Sequence, residues 1–451
     1  MRKQTAIFVA GFLLGLMAGH LFGAPSDEVR AAVSDLANNV PQERWATTRY
    51  LSLEAIPDDR RNDCHAVLSF VLNTVGSNAT ISTPERSGSL VRVHLDKLSI
   101  STAAWEALAG TDPYYHQRVQ VIDPATKKLA TVYTDGGWVG LDNAKQLAGM
   151  TRSGGAVLRA DWFIAKALTP PFYYGFTGVP KTLNEFYASL AVDGKTQLAL
   201  RANKGASIFR SGVTHKPRRI SRWQGPLGPS WVTYDGKEDG DPLKNPVRVP
   251  GFEFRHDASE HIAAKANGLH VFALFDAKGN RQDEVPPDIA HDTTAIGNDQ
   301  RLRAGISCIR CHTERGYRSF DNDFATLVEK GKANLHLPAE QAEYIAAFND
   351  VERLKVLLER DREDYETAVK RATGGMKVEE FAKALTAIYA AYEHDQIDLE
   401  TMKRELGIVS TERLRATTDP IVLALLSELR VNRKDWELSF GGAALLTSDV
   451  R

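Results

Sequence analysis

The sequence predicts an α+β fold: a mixed lobe of short strands and helices over residues 25–295, then a mainly α-helical region over residues 296–451, behind an apolar leader at residues 1–24. Two patterns carry that expectation. Before about residue 286, stretches with apolar residues three and four apart alternate with stretches in which every second residue is apolar, the helical and extended periods respectively. After Asp321 the spacing of three and four takes over almost throughout. A third observation, the pentapeptide Cys308-Ile309-Arg310-Cys311-His312, falls where one pattern gives way to the other.

The leader carries Arg2 and Lys3 and then an apolar run from Ala6 to Gly19, interrupted at His20, which is the layout of an export signal. Cleavage after Ala24 would leave Phe22 where a small residue is expected, so a cleaved signal and an uncleaved membrane anchor stay equally open. Asp58 to Val75 reads as a helix start and an amphipathic helix, with Leu68, Val71, Leu72 and Val75 on one face. Cys64 lies at the edge of that helix and reads as packing. Leu90 to Leu95 alternates like a half-buried strand, with Arg92 and His94 sharing a face. Asp112-Pro113 opens a turn, and a second extended stretch, Lys128 to Tyr133, ends at Gly136-Gly137.

A short helix led by Asp161-Trp162-Phe163 stops at Pro170-Pro171, and the aromatic cluster Phe172-Tyr173-Tyr174 that follows reads as core. Arg210 to His215 and Arg218-Arg219, ahead of Trp223 and Trp231, read as a loop region. They are basic and aromatic, but no nucleic-acid-binding module signature stands behind them. Val271 to Phe275 and Arg281 to Val285 flank the turn Asp276 to Asn280 as a hairpin, and Pro286-Pro287 ends it. Gln300 to Ile306 leads into the pentapeptide. Beyond it, Leu354, Leu357 and Leu358, then Phe381, Leu385, Ile388, Tyr389 and Tyr392, then Leu399, Met402 and Leu406 mark buried helix faces, with breaks at Pro338, Gly374-Gly375, Gly407 and Pro420.

Composition sets bounds. Hydrophobic content of 43% and charged content of 25% suit a chain with a large core. The formal charge is −1, or −3 without the leader, which gives no electrostatic case for nucleic acid or an anionic membrane surface. Three cysteines, two of them in the pentapeptide, exclude a disulfide scaffold.

The pentapeptide dictates a specific chemistry. Cys-x-x-Cys-His is the c-type haem attachment motif: two thiols add across the haem vinyl groups as thioethers, and the adjacent imidazole binds the iron from the proximal side. Two intervening residues place Cys308 and Cys311 on one side of a short helical turn, with His312 directed at the metal they fix. A thioredoxin-like dithiol would need a βαβ context, and a zinc site would need a fourth ligand where only Cys64 remains among the cysteines. An export signal agrees with haem c, which is attached outside the bacterial cytoplasm. On this reading Phe172-Tyr173-Tyr174 could also wall a haem face, and Arg301, Arg303, Arg310, Arg315 and Arg318 could pair with propionates or form a docking rim.

Ser211-Gly212-Val213, Trp231-Val232-Thr233-Tyr234-Asp235, Asn267-Gly268-Leu269, Asp276 to Arg281 and Gly305-Ile306-Ser307-Cys308 through His312 together resemble a group of large exported bacterial cytochrome-c-like proteins with one haem motif. The similarity spans about Arg49 to His312. It implies an architecture and haem chemistry, not a substrate, because the group has no characterised function. The sequence departs from the group at Glu260 to Ala266 and at His270, which adds two histidines, His261 and His270, near the haem segment.

The distal iron ligand stays open between two candidates. Met376, at a glycine-rich break after the motif, suits a His/Met carrier, and the resemblance implies His256; His261, His270 and His291 are secondary, Met402 at its core spacing is less favoured, and an iron with no distal protein ligand is the remaining alternative. The expected function is electron transfer by one covalent haem c, in the periplasm or at the outer face of the inner membrane, to unidentified redox partner proteins. A haem peroxidase using His256 and Arg255, or a haem-based sensor subunit, is the alternative.

Overall fold

Strand pairing organises the first two-thirds of the chain in the computed structural model, which describes residues 25–122, 129–135, 141–199, 204–208, 218–237, 240–244, 254–285, 289–295, 300–313, 316–317 and 351–447. The expected leader, the glycine pair at 136–137, residues 210–215, Pro338, and Arg315 and Arg318 lie outside the described residues.

Helix α1 (Pro25–Asn39) leads to β1 (Thr48–Ser52), α2 (Arg61–Val75), β2 (Glu85–Ser87), β3 (Leu90–His94), α3 (Leu95–Leu98) and α4 (Thr102–Ala109). The hairpin β4 (His116–Ile122) and β5 (Leu129–Asp135) precedes α5 (Leu141–Thr151), β6 (Val157–Arg159), α6 (Ala160–Ala167), α7 (Phe172–Thr177), α8 (Leu183–Ser189) and α9 (Gly194–Ala199). Strands β2, β3, β1 and β6 form one sheet, in which β6 joins β1 in parallel and the other pairs are antiparallel. The α2 residues expected on one face, Leu68, Val71, Leu72 and Val75, are all buried, as is Cys64. Arg92 is buried rather than half-buried, because Asp35 of α1 takes its guanidinium in two hydrogen bonds of 2.7 and 2.8 Å.

The second sheet is antiparallel and six-stranded, in the order β12-β11-β10-β9-β8-β7: β7 (Lys204–Ile208), β8 (Arg218–Gly225), β9 (Gly228–Asp235), β10 (Ala258–Ala264), β11 (His270–Asp276) and β12 (Arg281–Gln282). The predicted hairpin around Asp276 to Asn280 is β11–β12. The predicted loop at Arg218-Arg219 is a correction: those residues open an internal strand. Its arginines are buried because acids meet them, Arg218 pairing with Asp235 and Glu260, and Arg222 with Asp361.

A two-stranded pair, β13 (Glu284–Val285) and β14 (Leu302–Arg303), leads into α10 (Ile306–Thr313). The predicted helical region follows as α11 (Val351–Ala372), α12 (Val378–Glu393), α13 (Leu399–Leu406), α14 (Pro420–Leu426) and α15 (Arg433–Thr447). Pro420 starts a helix as well as marking a break: it stands in the first turn of α14, where its missing N–H costs nothing, and the Asp419 carboxylate caps the N–H groups of Ile421 and Val422. One continuous apolar core runs from Val29 of α1 to Ala444 of α15, so the regions 25–295 and 296–451 are packed together. Phe381 of α12 lies 4.5 Å, ring to ring, from Phe70 of α2.

Glu28 of α1 is buried in this core and accepts hydrogen bonds from Ser52 and Tyr115. Burial raises its carboxyl to about 7, against the pull of those two donors. The unfolded chain ionises this group near 4.5, so stability from the protonated folded form is complete below that pH and is lost as pH rises to about 7. Between pH 5 and 8 the group should remove about 2–3 kcal/mol of stability. Urea titrations at the two pH values should show this loss, and Glu28→Gln should reduce it by that amount.

Candidate haem site

The pentapeptide lies within α10, and its placement starts with Gly305. This residue has φ +79°, and the next N–H, of Ile306, donates to Leu168 O at the end of α6 at 2.8 Å. On α10, Ile306, Ile309 and Thr313 are buried, while Cys308, Cys311 and His312 are part-exposed. The second set is spaced three and four apart, so it forms one stripe of the helix. Neither thiol is joined in a disulfide among the described residues. Burial, with smaller contributions from Glu260 and Cys311, pushes the Cys308 thiol well above its ordinary value.

His312 has a fixed tautomer. Its Nδ1 lies 3.0 Å from Gly316 O. A carbonyl can only accept, so the neutral imidazole carries its proton on Nδ1 and its lone pair on Nε2. A backbone carbonyl that takes the Nδ1 proton in this way fixes the ring orientation of a metal-binding histidine. The ring faces the six-stranded sheet, 6.0 Å from Phe272 of β11.

Register determines which sheet residues share that side. Residues opposite one another point the same way, and successive residues alternate. Phe272 is opposite Ile262, which is opposite Trp231, which is opposite Arg222; Leu274, Glu260, Thr233 and Ile220 form the next row, and His270 with Ala264 the row before. This face packs on α11 and the segment after α10. Arg222 and Trp231 both bond Asp361, Trp231 lies 5.5 Å from Tyr317, and His270 is stacked on Tyr365 at 3.9 Å and 15°.

The other expected ligands fall elsewhere. His261, opposite Ala273, is on the reverse face among Phe186, Tyr187 and Phe275, where burial lowers its imidazole to about 3. His256 lies against Tyr234 of that same reverse face, 4.9 Å ring to ring, and Arg255 is mostly exposed beside Asp241. The structure therefore does not bring the predicted His256 and Arg255 to His312. Met376 precedes α12, and the α12 residue nearest α10 by ring contact is Tyr389, under Arg310. The helix rises about 16 Å between Val378 and Tyr389, so Met376 is far from that contact. Met402 is core, and His291 is exposed.

The arginines divide by role. Arg310 is committed to the fold through a 2.6 Å bond to buried Asp292 and its position over Tyr389. Arg301 and Arg303 are more exposed and approach Glu284 at 3.3 and 3.9 Å. Tyr173, read as core, is core: it is fully buried, accepts Phe272 N–H at 2.9 Å and lies beside Gly305.

Sequence reasoning gave His270 a secondary place, yet it is the histidine that shares the Phe272 side of the sheet. It is 3% exposed, and burial together with nearby His312 holds its imidazole well below the ordinary value. Among the described residues, no cluster of three or more His, Cys, Asp or Glu is arranged to hold a bare metal ion, and no helix is long and apolar enough to cross a membrane. No protein-family model, curated protein or solved structure matches the chain.

Proposed function

We propose that the chain is an exported c-type cytochrome that binds one haem through Cys308 and Cys311 and carries electrons between redox partner proteins, in the periplasm or at the outer face of the inner membrane. The carrying observation is the pairing of two thiols one helical turn apart with an imidazole whose Nδ1 proton is committed to Gly316 O. That donor set suits covalent haem, while a closed structural zinc site requires a fourth ligand.

A bound haem supplies one-electron cycling of iron between its ferrous and ferric states. The side chains provide its setting. Cys308 and Cys311 would hold the macrocycle, His312 would offer Nε2 with a fixed ring orientation, and Phe272 beside its ring, with Ile262 opposite it on the same face of the sheet, supplies an apolar surface that lowers the local dielectric. The part-exposed Arg301 and Arg303 provide a positive rim for a partner. The carrier reading is favoured over a peroxidase because His256 and Arg255 stand apart from His312, so the acid–base pair of that alternative is missing from the site.

The test is whether pigment is covalently retained. Full-length protein produced with c-type maturation should keep its colour after denaturation and acid extraction, and its mass should exceed the bare chain by one haem. A double Cys308→Ser, Cys311→Ser variant should lose both signals. A wild-type mass equal to the bare chain overturns the proposal.

A further inference from the structure

Resting on that haem reading, we propose that His270 is the second axial ligand, giving the iron two imidazoles. Three observations converge on this residue. First, strand parity puts it two residues from Phe272 on the sheet side that His312 faces, whereas His261 points to the reverse face. Second, the ring is held before any metal arrives: Tyr365 stacks on it at 3.9 Å, and Tyr317, the residue after Gly316, lies 4.6 Å away. Third, although His270 is almost wholly buried, its Nδ1 has no hydrogen-bond partner among the described residues.

A buried polar group left without a partner costs about 1–3 kcal/mol and calls for an explanation. A metal ligand supplies one, because iron bound at Nδ1 takes up the ring nitrogen that the protein alone leaves unsatisfied. Neighbouring groups are less suited. Tyr317 and Tyr365 are phenols that burial keeps protonated, and Glu260 already commits one carboxylate oxygen to Arg218 at 2.9 Å. Clamping by two tyrosines also limits the reorganisation needed at the metal, which suits a site that changes charge without changing shape.

The experiment uses the full chain carrying covalent haem, with visible and electron paramagnetic resonance spectra as readouts. Wild type should be six-coordinate and low-spin in both oxidation states and inert to carbon monoxide. His270→Gln should retain covalent haem, become high-spin and gain carbon monoxide binding, and added imidazole should restore the low-spin spectrum in His270→Gly. His270→Met should remain low-spin with a raised reduction potential, since a thioether favours the ferrous state more than an imidazole does. A His270→Gln protein that keeps its haem and its low-spin spectrum overturns the assignment. If that variant does not fold, an unchanged potential in His270→Met overturns it instead. Absence of covalent haem from wild type would defeat the underlying site reading, a result distinguishable from either.

Discussion

Glu405→Ala is expected to destabilise the protein by about 3–5 kcal/mol, the usual cost of removing one partner from a buried ionic network. Glu405, on α13, receives Arg433 of α15 through both oxygens at 2.7 and 2.8 Å, Arg159 of β6 at 2.8 and 3.1 Å, and the Trp436 indole N–H at 2.7 Å. Arg159 also pairs with Asp161 at 2.7 Å. Tyr114 and Tyr392 cover the two guanidiniums, at 4.0 and 4.8 Å from their ring centres. Two buried cations and two buried anions thus balance, and alanine would leave two cations facing one anion.

Burial opposes ionisation of Glu405, but Arg159 and Arg433 outweigh it and hold the carboxyl at about 2. The unfolded value is near 4.5, so this contribution is complete above that pH and is lost as pH falls towards 2, the opposite sense to Glu28. A urea midpoint for Glu405→Ala at pH 7 checks the magnitude. Glu405→Gln should fall between alanine and wild type, because it keeps acceptor capacity and volume but not charge. A loss below about 1 kcal/mol for alanine would mean that water reaches the cluster and screens it.

What the sequence could reveal followed the range of each interaction. The α10 motif was readable because its chemistry is contained in five residues, and α2 and α12 were readable because their buried faces repeat at helical spacing. Which histidine shares the side that His312 faces was harder to read, because that depends on sheet register, where an offset of one residue exchanges faces. In His270-Val271-Phe272-Ala273-Leu274 nearly every residue is apolar, so the local pattern does not say which side carries the imidazole. Strand β8 was hidden for a related reason. Arg218 and Arg222 look solvated until Asp235, Glu260 and Asp361 are brought against them, and Asp361 comes from a distant helix. The Gly316 carbonyl that orients His312 is backbone, so no residue type announces it.

Gly305→Ala is expected to cost about 2–4 kcal/mol, combining a left-handed backbone at a non-glycine residue with steric overlap in a packed interior. A methyl group there would sit 2.4 Å from Leu168 O and 2.7 and 2.9 Å from two ring carbons of Tyr173. Neither neighbour yields easily. Leu168 O accepts the Ile306 N–H that starts α10, and Tyr173 is buried with its hydroxyl bound to the Phe272 N–H. Relief therefore requires α10 to move relative to β11, which separates Cys308 and His312 from the wall they face. The variant should show both a lower urea midpoint and a lower yield of covalent haem. Gly374→Ala serves as the control: its φ of +70° carries a similar backbone penalty, but no heavy atom lies within 4 Å of the added carbon. It should cost about 1–2 kcal/mol and leave haem yield unchanged. Equal losses in the two variants would show that backbone conformation alone, and not the seating of α10 against Tyr173, accounts for the glycine at 305.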